Sequence, residues 1–278
     1  MELDVNETKL LEKLRAANIR IPPRPQILHD IEKMLQDDNS TDRMIAQLIS
    51  RDASLTAEVF KLVNSALYRR AKKFDSLEQA VRMLGRKPMG TLARSAILRQ
   101  QLGGNDPRME TFWERCVDVG TICSVLCDHL GLGKNLTTEQ AYLAGLFHDC
   151  GVPVLVRQVK GYGDTALSPS AVADFIAEDD EKGTSHCIAG ILVAEEWQLP
   201  SLLCEAIRSH HYVIAEDQSA AHAIAVLQLA RHGYARTQNW GDPEWEFHSH
   251  RALEVLELAP DRLEAVLGEA LASFEMLH

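Results

Sequence analysis

The sequence lacks the long apolar runs, leader features and cysteine patterns that mark membrane, secreted and zinc-ribbon proteins. No apolar run approaches the roughly 20 residues of a transmembrane helix, and the start, MELDVNETKLLEKLR, lacks the basic-then-apolar order of a signal peptide. The six cysteines include no Cys-x-x-Cys pair, so neither a disulfide scaffold nor a zinc ribbon is indicated. We therefore expect a cytoplasmic protein with no membrane partner.

Strand signals are also scarce, because few runs alternate β-branched and polar residues, and no glycine-rich phosphate loop follows a strand-like segment. Almost every segment instead has apolar residues at helical spacing. With 278 residues, of which 46% are hydrophobic and 25% charged, the chain can bury a sizeable core. The sequence predicts an all-α protein, with a candidate boundary at 103–107, GGNDP.

Charge is unevenly distributed along the chain. The net charge is −11, yet 61–99 holds ten basic and two acidic residues, a local excess of +8. This segment supplies a candidate basic surface of Arg69, Arg70, Lys72, Lys73, Arg86 and Lys87. It can orient an acidic partner or a phosphate-bearing ligand, or it can be a solvated face balanced by acidic helices. The overall acidity argues against general nucleic-acid binding.

The central stretch is Thr138–Val156, TEQAYLAGLFHDCGVPVLV. It is an apolar helix pattern that ends in His148-Asp149, and Thr137 with Gln140 predicts a capping box at its start. An imidazole and a carboxylate at the end of a buried helix can turn toward one point. They would form half of a divalent metal site if other helices supply further ligands.

Other chemically distinctive residues have structural interpretations. Cys116, Cys123 and Cys127 fall on one helix face and are interpreted as small core residues, and Trp113 and Trp197 are also predicted to pack in the core. A polar loop is predicted over 237–249. The two tryptophans in it are either exposed partner contacts or folded back onto the C-terminal helices; they are Trp240 and Trp245.

Five motifs, in this order, resemble the HDOD proteins, bacterial signalling output domains related to the HD metal-dependent phosphohydrolases. The motifs are IPPRPQIL at 21–28, RDASLTAEVFKLVNSALY at 51–68, SLEQAVRMLG at 76–85, AYLAGLFHDCG at 141–151 and EEWQLPSLLCEAIRSHH at 195–211. The resemblance covers roughly residues 14–232. It implies an all-helical fold in which an N-terminal helical bundle packs on an HD-like helical domain. We place the bundle at 1–104, the HD-like subdomain at 105–232, and a C-terminal loop and helices at 233–278.

The resemblance also implies where metal ligands would lie, since HD hydrolases use a first His, the His-Asp pair and a later Asp. Here the first position falls on Arg115, or on Cys116 if the register slips, and the last falls on Arg231. A guanidinium only donates hydrogen bonds and repels cations. We therefore expect a degenerate pocket with no cofactor, in which an arginine pairs with Asp149.

The histidines of this sequence support a metal site as an alternative to the degenerate pocket. The positions of His186, His210 and His211 resemble extra metal ligands of the wider HD superfamily. A site for Fe, Mn or Zn could therefore combine His148, Asp149, His186 and His210. A pocket for an anionic small ligand or nucleotide is a third option.

Three functions follow from these observations. The first is a non-catalytic regulatory output or scaffold module that binds signalling proteins in trans or a small ligand, because the sequence contains no sensor, receiver or cyclase segment. The second is a metal-dependent phosphohydrolase acting through His148 and Asp149. The third, a nucleic-acid-associated regulator, would use the basic surface.

Overall fold

A computed structural model describes residues 5–17, 19–64, 74–103, 106–167, 174–212, 215 and 217–277. The described residues form helices and turns and contain no strand. The helices in chain order are α1 Val5–Ala16, α2 Gln26–Gln36, α3 Asp42–Ile49, α4 Ala53–Val63, α5 Leu77–Leu84, α6 Arg86–Gly103, α7 Arg108–His129, α8 Thr138–Phe147, α9 Val152–Gln158, α10 Phe175–Lys182, α11 His186–Glu196, α12 Ser201–Ser209, α13 Gln218–Thr237, α14 Pro243–Val255 and α15 Pro260–Leu277. The predicted all-α class is confirmed. Among these helices, none has the length and apolarity to span a membrane.

The chain divides into two compact units. The larger contains Met1–Pro22 and Asn105–Phe274, and the smaller contains Pro23–Gly104 and Glu275–His278. The first helix thus groups with the C-terminal part of the chain, whereas the sequence placed it in a bundle at 1–104. The reason lies in contacts within the larger unit: Arg208 Nε donates to Glu7 Oε1 of the first helix at 2.8 Å. The segment after this helix is held as well, since the Trp197 indole N–H donates to the carbonyl of Pro22 at 2.9 Å.

The larger unit is built around α13, which packs against α7, α8, α12 and α14. Helices α7 and α8 lie especially close because glycines face each other. A Cβ added at Gly145 would lie 2.5 Å from the Cα of Gly120. The cysteines that share one face of α7 are buried, as predicted; they are Cys116, Cys123 and Cys127. This packing fixes the C-terminal end of α8, where the His-Asp pair lies.

Helix α8 begins at the predicted capping box. The Thr137 hydroxyl accepts from the Gln140 N–H at 3.2 Å, and the Gln140 side chain accepts from the Thr137 N–H at 2.9 Å. Both bonds satisfy amides that the first helical turn leaves without partners. Every residue from 141 to 147 is buried, so α8 is a core helix held in register by its cap.

Replacing Thr137 with alanine is expected to lower the free energy of unfolding by about 1 kcal/mol, because the N-cap acceptor is lost. Urea denaturation followed by circular dichroism measures this change. The neighbouring Thr138→Ala change removes a hydroxyl that is not part of the cap, and its effect should be close to zero. Equal losses in the two variants would contradict a capping role for Thr137.

In the smaller unit, α2, α3, α4 and α5 each pack against α6. One residue of the predicted basic surface is neutralised there, since Arg86 lies 3.4 Å from Asp42. Another arginine of the basic segment 61–99, Arg94, lies 3.2 Å from Glu32. Lys87 is exposed. The other four basic residues, Arg69, Arg70, Lys72 and Lys73, lie outside the described residues.

The C-terminal segment differs from its predicted loop. Helix α13 continues to Thr237, and α14 covers most of the remainder. The cause is local: Asp242 Oδ1 accepts from the Trp245 N–H at 3.1 Å, and the proline that follows Asp242 suits the first helical turn. Trp245 is buried and stacks on His232. Trp240 packs edge-on against Tyr234, so both tryptophans fold back onto the helices.

Candidate functional site

The His148-Asp149 pair lies in the turn that joins α8 to α9. Both residues are buried. The turn ends at Gly151, where an added Cβ would lie 2.0 Å from the carbonyl oxygen of His186 and 2.5 Å from the N–H nitrogen of Gly190. Glycine at this position therefore lets the backbone of α11 approach the turn. The approach brings the first residue of α11 next to the His-Asp pair.

Asp149 faces imidazoles. Its Oδ2 lies 3.0 Å from His148 Nε2, and its Oδ1 lies 3.2 Å from His210 Nε2 and 3.5 Å from His186 Nε2. The Oδ1 contacts are not aligned as hydrogen bonds, so this buried oxygen has no hydrogen-bond partner. Burial would raise the pKa of Asp149, but the facing His148 and His210 outweigh burial and hold it well below the usual range.

His186 is oriented by Asp179. Asp179 Oδ2 lies 2.6 Å from His186 Nδ1, and the two carboxylate oxygens also accept the His186 backbone N–H at 3.1 and 2.9 Å. The Tyr162 hydroxyl donates to Asp179 Oδ1 at 2.8 Å. Burial and the adjacent Asp179 charge raise the pKa of Tyr162 well above its ordinary value, so the phenol stays a donor. The carboxylate thus fixes the direction of the His186 ring.

The end of α12 supplies two more imidazoles. His210 Nδ1 lies 3.0 Å from the carbonyl oxygen of Ile207, and His211 Nδ1 lies 2.8 Å from Glu244 Oε1. Their Nε2 atoms approach His186 Nε2, His210 at 3.3 Å and His211 at 2.9 Å. The four histidines of the predicted pocket therefore meet at one place, together with Asp149.

The two arginines of the predicted pocket line the same cleft but do not pair with Asp149. Arg231 makes two hydrogen bonds to Glu244, at 3.1 and 3.0 Å, and Arg115 lies over the Trp240 ring at 5.2 Å. The expected arginine–Asp149 pair is therefore wrong. The physical reason is that α14 brings in a carboxylate with bidentate geometry, while α11 and α12 bring imidazoles to Asp149.

The cleft beside Asp149 contains about 470 Å³ of space between atoms when its solvent-filled mouth is included. Its walls include four aromatic side chains, two arginines and the His148-Asp149 pair. The lining residues are Phe112, Arg115, Cys116, Val119, His148, Asp149, Phe175, Arg231, Tyr234, Ala235 and Trp240. An arrangement of guanidinium groups and ring faces can hold an anionic ligand that carries an aromatic ring.

A family model describes most of this chain. The model of the HDOD domain matches residues 21–213. The chain belongs to the HDOD family. The predicted resemblance is thereby confirmed. The residues of the imidazole cluster all lie within the matched range; they are His148, Asp149, His186, His210 and His211.

Relatives of this HDOD protein agree on the fold. A crystal structure of an HDOD domain protein of unknown function from Geobacter sulfurreducens has a TM-score of 0.66 and 25% identity, with 99% of each chain covered. A structure from Shewanella amazonensis SB2B, provisionally named a metal-dependent phosphohydrolase, has a TM-score of 0.68 and 19% identity, with 99% of this chain and 100% of that chain covered.

One sequence relative is an uncharacterised protein of Treponema pallidum (strain Nichols). It is 27% identical over 224 residues, which are 76% of this HDOD chain. The chain spans only 41% of the length of that relative.

Three contributors to the site of this HDOD protein were not predicted from the sequence, and a fourth, Trp240, was predicted only as a partner contact or a residue folded back onto the helices. Asp179 and Glu244 orient two of the histidines, Cys187 follows His186 in the chain, and Trp240 covers Arg115. Only the adjacency of Cys187 to a candidate ligand could have been noticed. The other three come from α10, α14 and the turn before α14, and they reach the site by helix packing.

Proposed function

We propose that this protein is a non-catalytic regulatory module whose cleft binds an anionic small ligand and whose ligand-bound state is recognised by signalling proteins in trans. The proposal rests on one observation. Arg115 and Arg231 line the cleft at the His-Asp pair, where the HD-type site would call for metal ligands. Guanidinium groups stay protonated and cannot bind a cation.

The two arginines suit different tasks. Arg231 is held by Glu244 in two hydrogen bonds, so its guanidinium is fixed in place and its charge is compensated. The Nε atom of Arg115 is buried and has no hydrogen-bond partner. Since a buried donor without a partner costs about 1–3 kcal/mol, a ligand oxygen that accepts from Arg115 would bind favourably.

The aromatic residues of the cleft indicate which class of ligand it can bind. Phe112, Phe175, Tyr234 and Trp240 line the cleft together with Arg115. A nucleotide can place its base between aromatic side chains and its phosphate against a guanidinium group. The ligand class that we propose for this module is therefore a phosphate-bearing nucleotide, which is bound and not turned over.

Isothermal titration calorimetry with purine and pyrimidine nucleoside monophosphates, triphosphates and cyclic dinucleotides tests this proposal. We expect at least one nucleotide to bind, and we expect Arg115→Gln to weaken its binding by roughly 10–100-fold, the value of a charge-assisted hydrogen bond. The matched control is Arg236→Gln, because Arg236 is exposed on the same helix as Arg231 and pairs with Glu264 outside the cleft. Failure of every nucleotide to bind, or equal affinity in the two variants, would contradict the proposal.

A metal-dependent phosphohydrolase is the second candidate, and one observation favours it. Four residues named as alternative ligands lie together: His148, Asp149, His186 and His210. Carboxylate and imidazole donors could hold a cation that activates water for attack on a phosphate.

A phosphodiesterase assay separates the two candidates. Purified protein is loaded with Fe²⁺, Mn²⁺ or Zn²⁺ and given bis(p-nitrophenyl) phosphate. Turnover that disappears in Asp149→Asn would favour the hydrolase. Nucleotide binding without turnover under every metal supports the regulatory module.

A further inference from the structure

We propose that His186, Cys187, His210 and His211 form a closed, tetrahedral zinc site that fastens the start of α11 to the end of α12. This goes beyond the function proposed above, because it concerns a structural ion and not the ligand of the cleft. The four side chains place one ligand atom each within 4.8 Å of one another. Three of the four residues are buried and Cys187 is half-buried.

The first argument concerns the direction of the imidazole lone pairs. Each ring has its Nδ1 against an acceptor: the Asp179 carboxylate for His186, the Ile207 carbonyl for His210 and the Glu244 carboxylate for His211. These partners assign the ring proton to Nδ1 and leave the lone pair on Nε2. Three lone pairs then face one another in a buried place, an arrangement that a cation stabilises. Carboxylate or carbonyl partners on the second nitrogen are the usual outer contacts of metal-binding histidines.

The second argument is the spacing of the ligand atoms. Zinc–nitrogen bonds of 2.0–2.1 Å in a tetrahedron put nitrogens about 3.3 Å apart, and a nitrogen and a sulfur about 3.6 Å apart. The Nε2 atom of His186 lies 3.3 Å from that of His210 and 2.9 Å from that of His211, and it lies 3.6 Å from the Cys187 Sγ. The three edges that start at His186 are therefore close to those of a four-coordinate zinc site, and the other ligand atoms lie within 4.8 Å of one another.

The third argument is the identity of the ligands. A thiolate selects zinc over magnesium, calcium and manganese, which prefer oxygen. The Asp149 carboxylate, 3.2 Å from His210 Nε2, adds a second negative charge beside a divalent ion.

His148 is outside the site, and this distinguishes it from the metal set predicted from the sequence. Its Nε2 atom lies 3.0 Å from Asp149 Oδ2, whereas His186 and His210 approach the other oxygen, Oδ1. His148 is also not one of the four residues whose ligand atoms all lie within 4.8 Å of one another. Four protein ligands leave no position for water. A closed site of this kind is typical of structural zinc, whereas catalytic zinc keeps an open position.

The test begins with the full chain stripped by a chelator and dialysed against one equivalent of Zn²⁺ or Co²⁺. We expect one zinc per chain by elemental analysis and a higher melting temperature in the loaded protein. The Co²⁺ form should show the strong visible bands of tetrahedral cobalt and a thiolate-to-cobalt charge-transfer band. Retention of no metal, or a cobalt spectrum without the thiolate band, would overturn the proposal.

Variants identify the ligands. Cys187→Ser should lose the charge-transfer band and weaken zinc binding by roughly 100-fold or more, since loss of an orienting partner alone costs 10–100-fold. His211→Gln should weaken zinc binding to a similar extent. This second variant keeps the proposal testable if Cys187→Ser does not fold. Cys204→Ser is the matched control, because this half-buried thiol donates to the carbonyl of Leu199 and is outside the cluster. Equal zinc affinity in Cys187→Ser and Cys204→Ser would show that the Cys187 thiol is not a zinc ligand. Nucleotide binding in the cleft can succeed or fail independently of all these results.

Discussion

Replacing Asp149 with alanine is expected to lower the free energy of unfolding by about 3–5 kcal/mol, the usual loss when one partner of a buried charged pair is removed. The side chain is 10% exposed and contacts the Nε2 atoms of His148, His210 and His186. Without the carboxylate, His148 Nε2 loses the acceptor that it faces at 3.0 Å, and the site loses its buried negative charge. Because the loss is electrostatic and buried, salt should not restore it.

Urea denaturation at neutral pH, with a chelator present in all samples, measures the effect of Asp149→Ala apart from any bound metal. Asp180→Ala is the matched control: Asp180 is exposed on α10, and its loss should change stability by less than about 0.5 kcal/mol. A melting temperature of Asp149→Ala equal to that of the control would show that the imidazole cluster does not depend on this carboxylate.

Replacing Gly151 with alanine is expected to be as damaging, although it adds only one methyl group. The added carbon would lie 2.0 Å from the His186 carbonyl oxygen and 2.5 Å from the Gly190 nitrogen. Both atoms belong to the backbone of α11, so no side chain can rotate away. The backbone of Gly151, with φ −76° and ψ −26°, is itself suitable for alanine. The contact alone therefore produces the effect, which should be about 3 kcal/mol or more.

Gly268→Ala provides the control for Gly151→Ala, because Gly268 lies within α15 and an added Cβ there meets nothing within 4 Å. Alanine at that position should stabilise the protein by about 0.5–1 kcal/mol. Opposite signs for the two glycines in thermal denaturation are the expected result. If Gly151→Ala leaves the melting temperature unchanged, the turn and α11 are not in the close contact described here. In a folded variant, the shift of His186 should also weaken zinc binding.

Features that depend on neighbouring residues could be predicted well from the sequence. The capping box of α8 follows from the chemistry of Thr137 and Gln140 three positions apart. The buried cysteines of α7 follow from helical periodicity. The loop expected over 237–249 is wrong over most of its length, because Asp242 and the proline after it start α14 in spite of the polar, tryptophan-bearing composition.

The site was predicted in part, for a reason that concerns distance along the chain. His186, His210 and His211 were named as candidate ligands through a family resemblance, and the structure brings them together with Asp149. Their relation to one another was not visible, since tens of residues separate Asp149 from each of them. The partner of Arg231 was missed for the same reason: Glu244 lies on a helix that was predicted as a loop.

The sequence by itself determined an all-helical chain, the start and end of its central helix, and a His-Asp pair at that end. These properties follow from periodicity, caps and adjacency, which act over a few residues. Only the tertiary structure decided what Asp149 faces. Helix α11 reaches the turn because Gly151 leaves room for its backbone, and the end of α12 adds two imidazoles. Charge compensation in a buried site depends on such packing, and no local pattern encodes it.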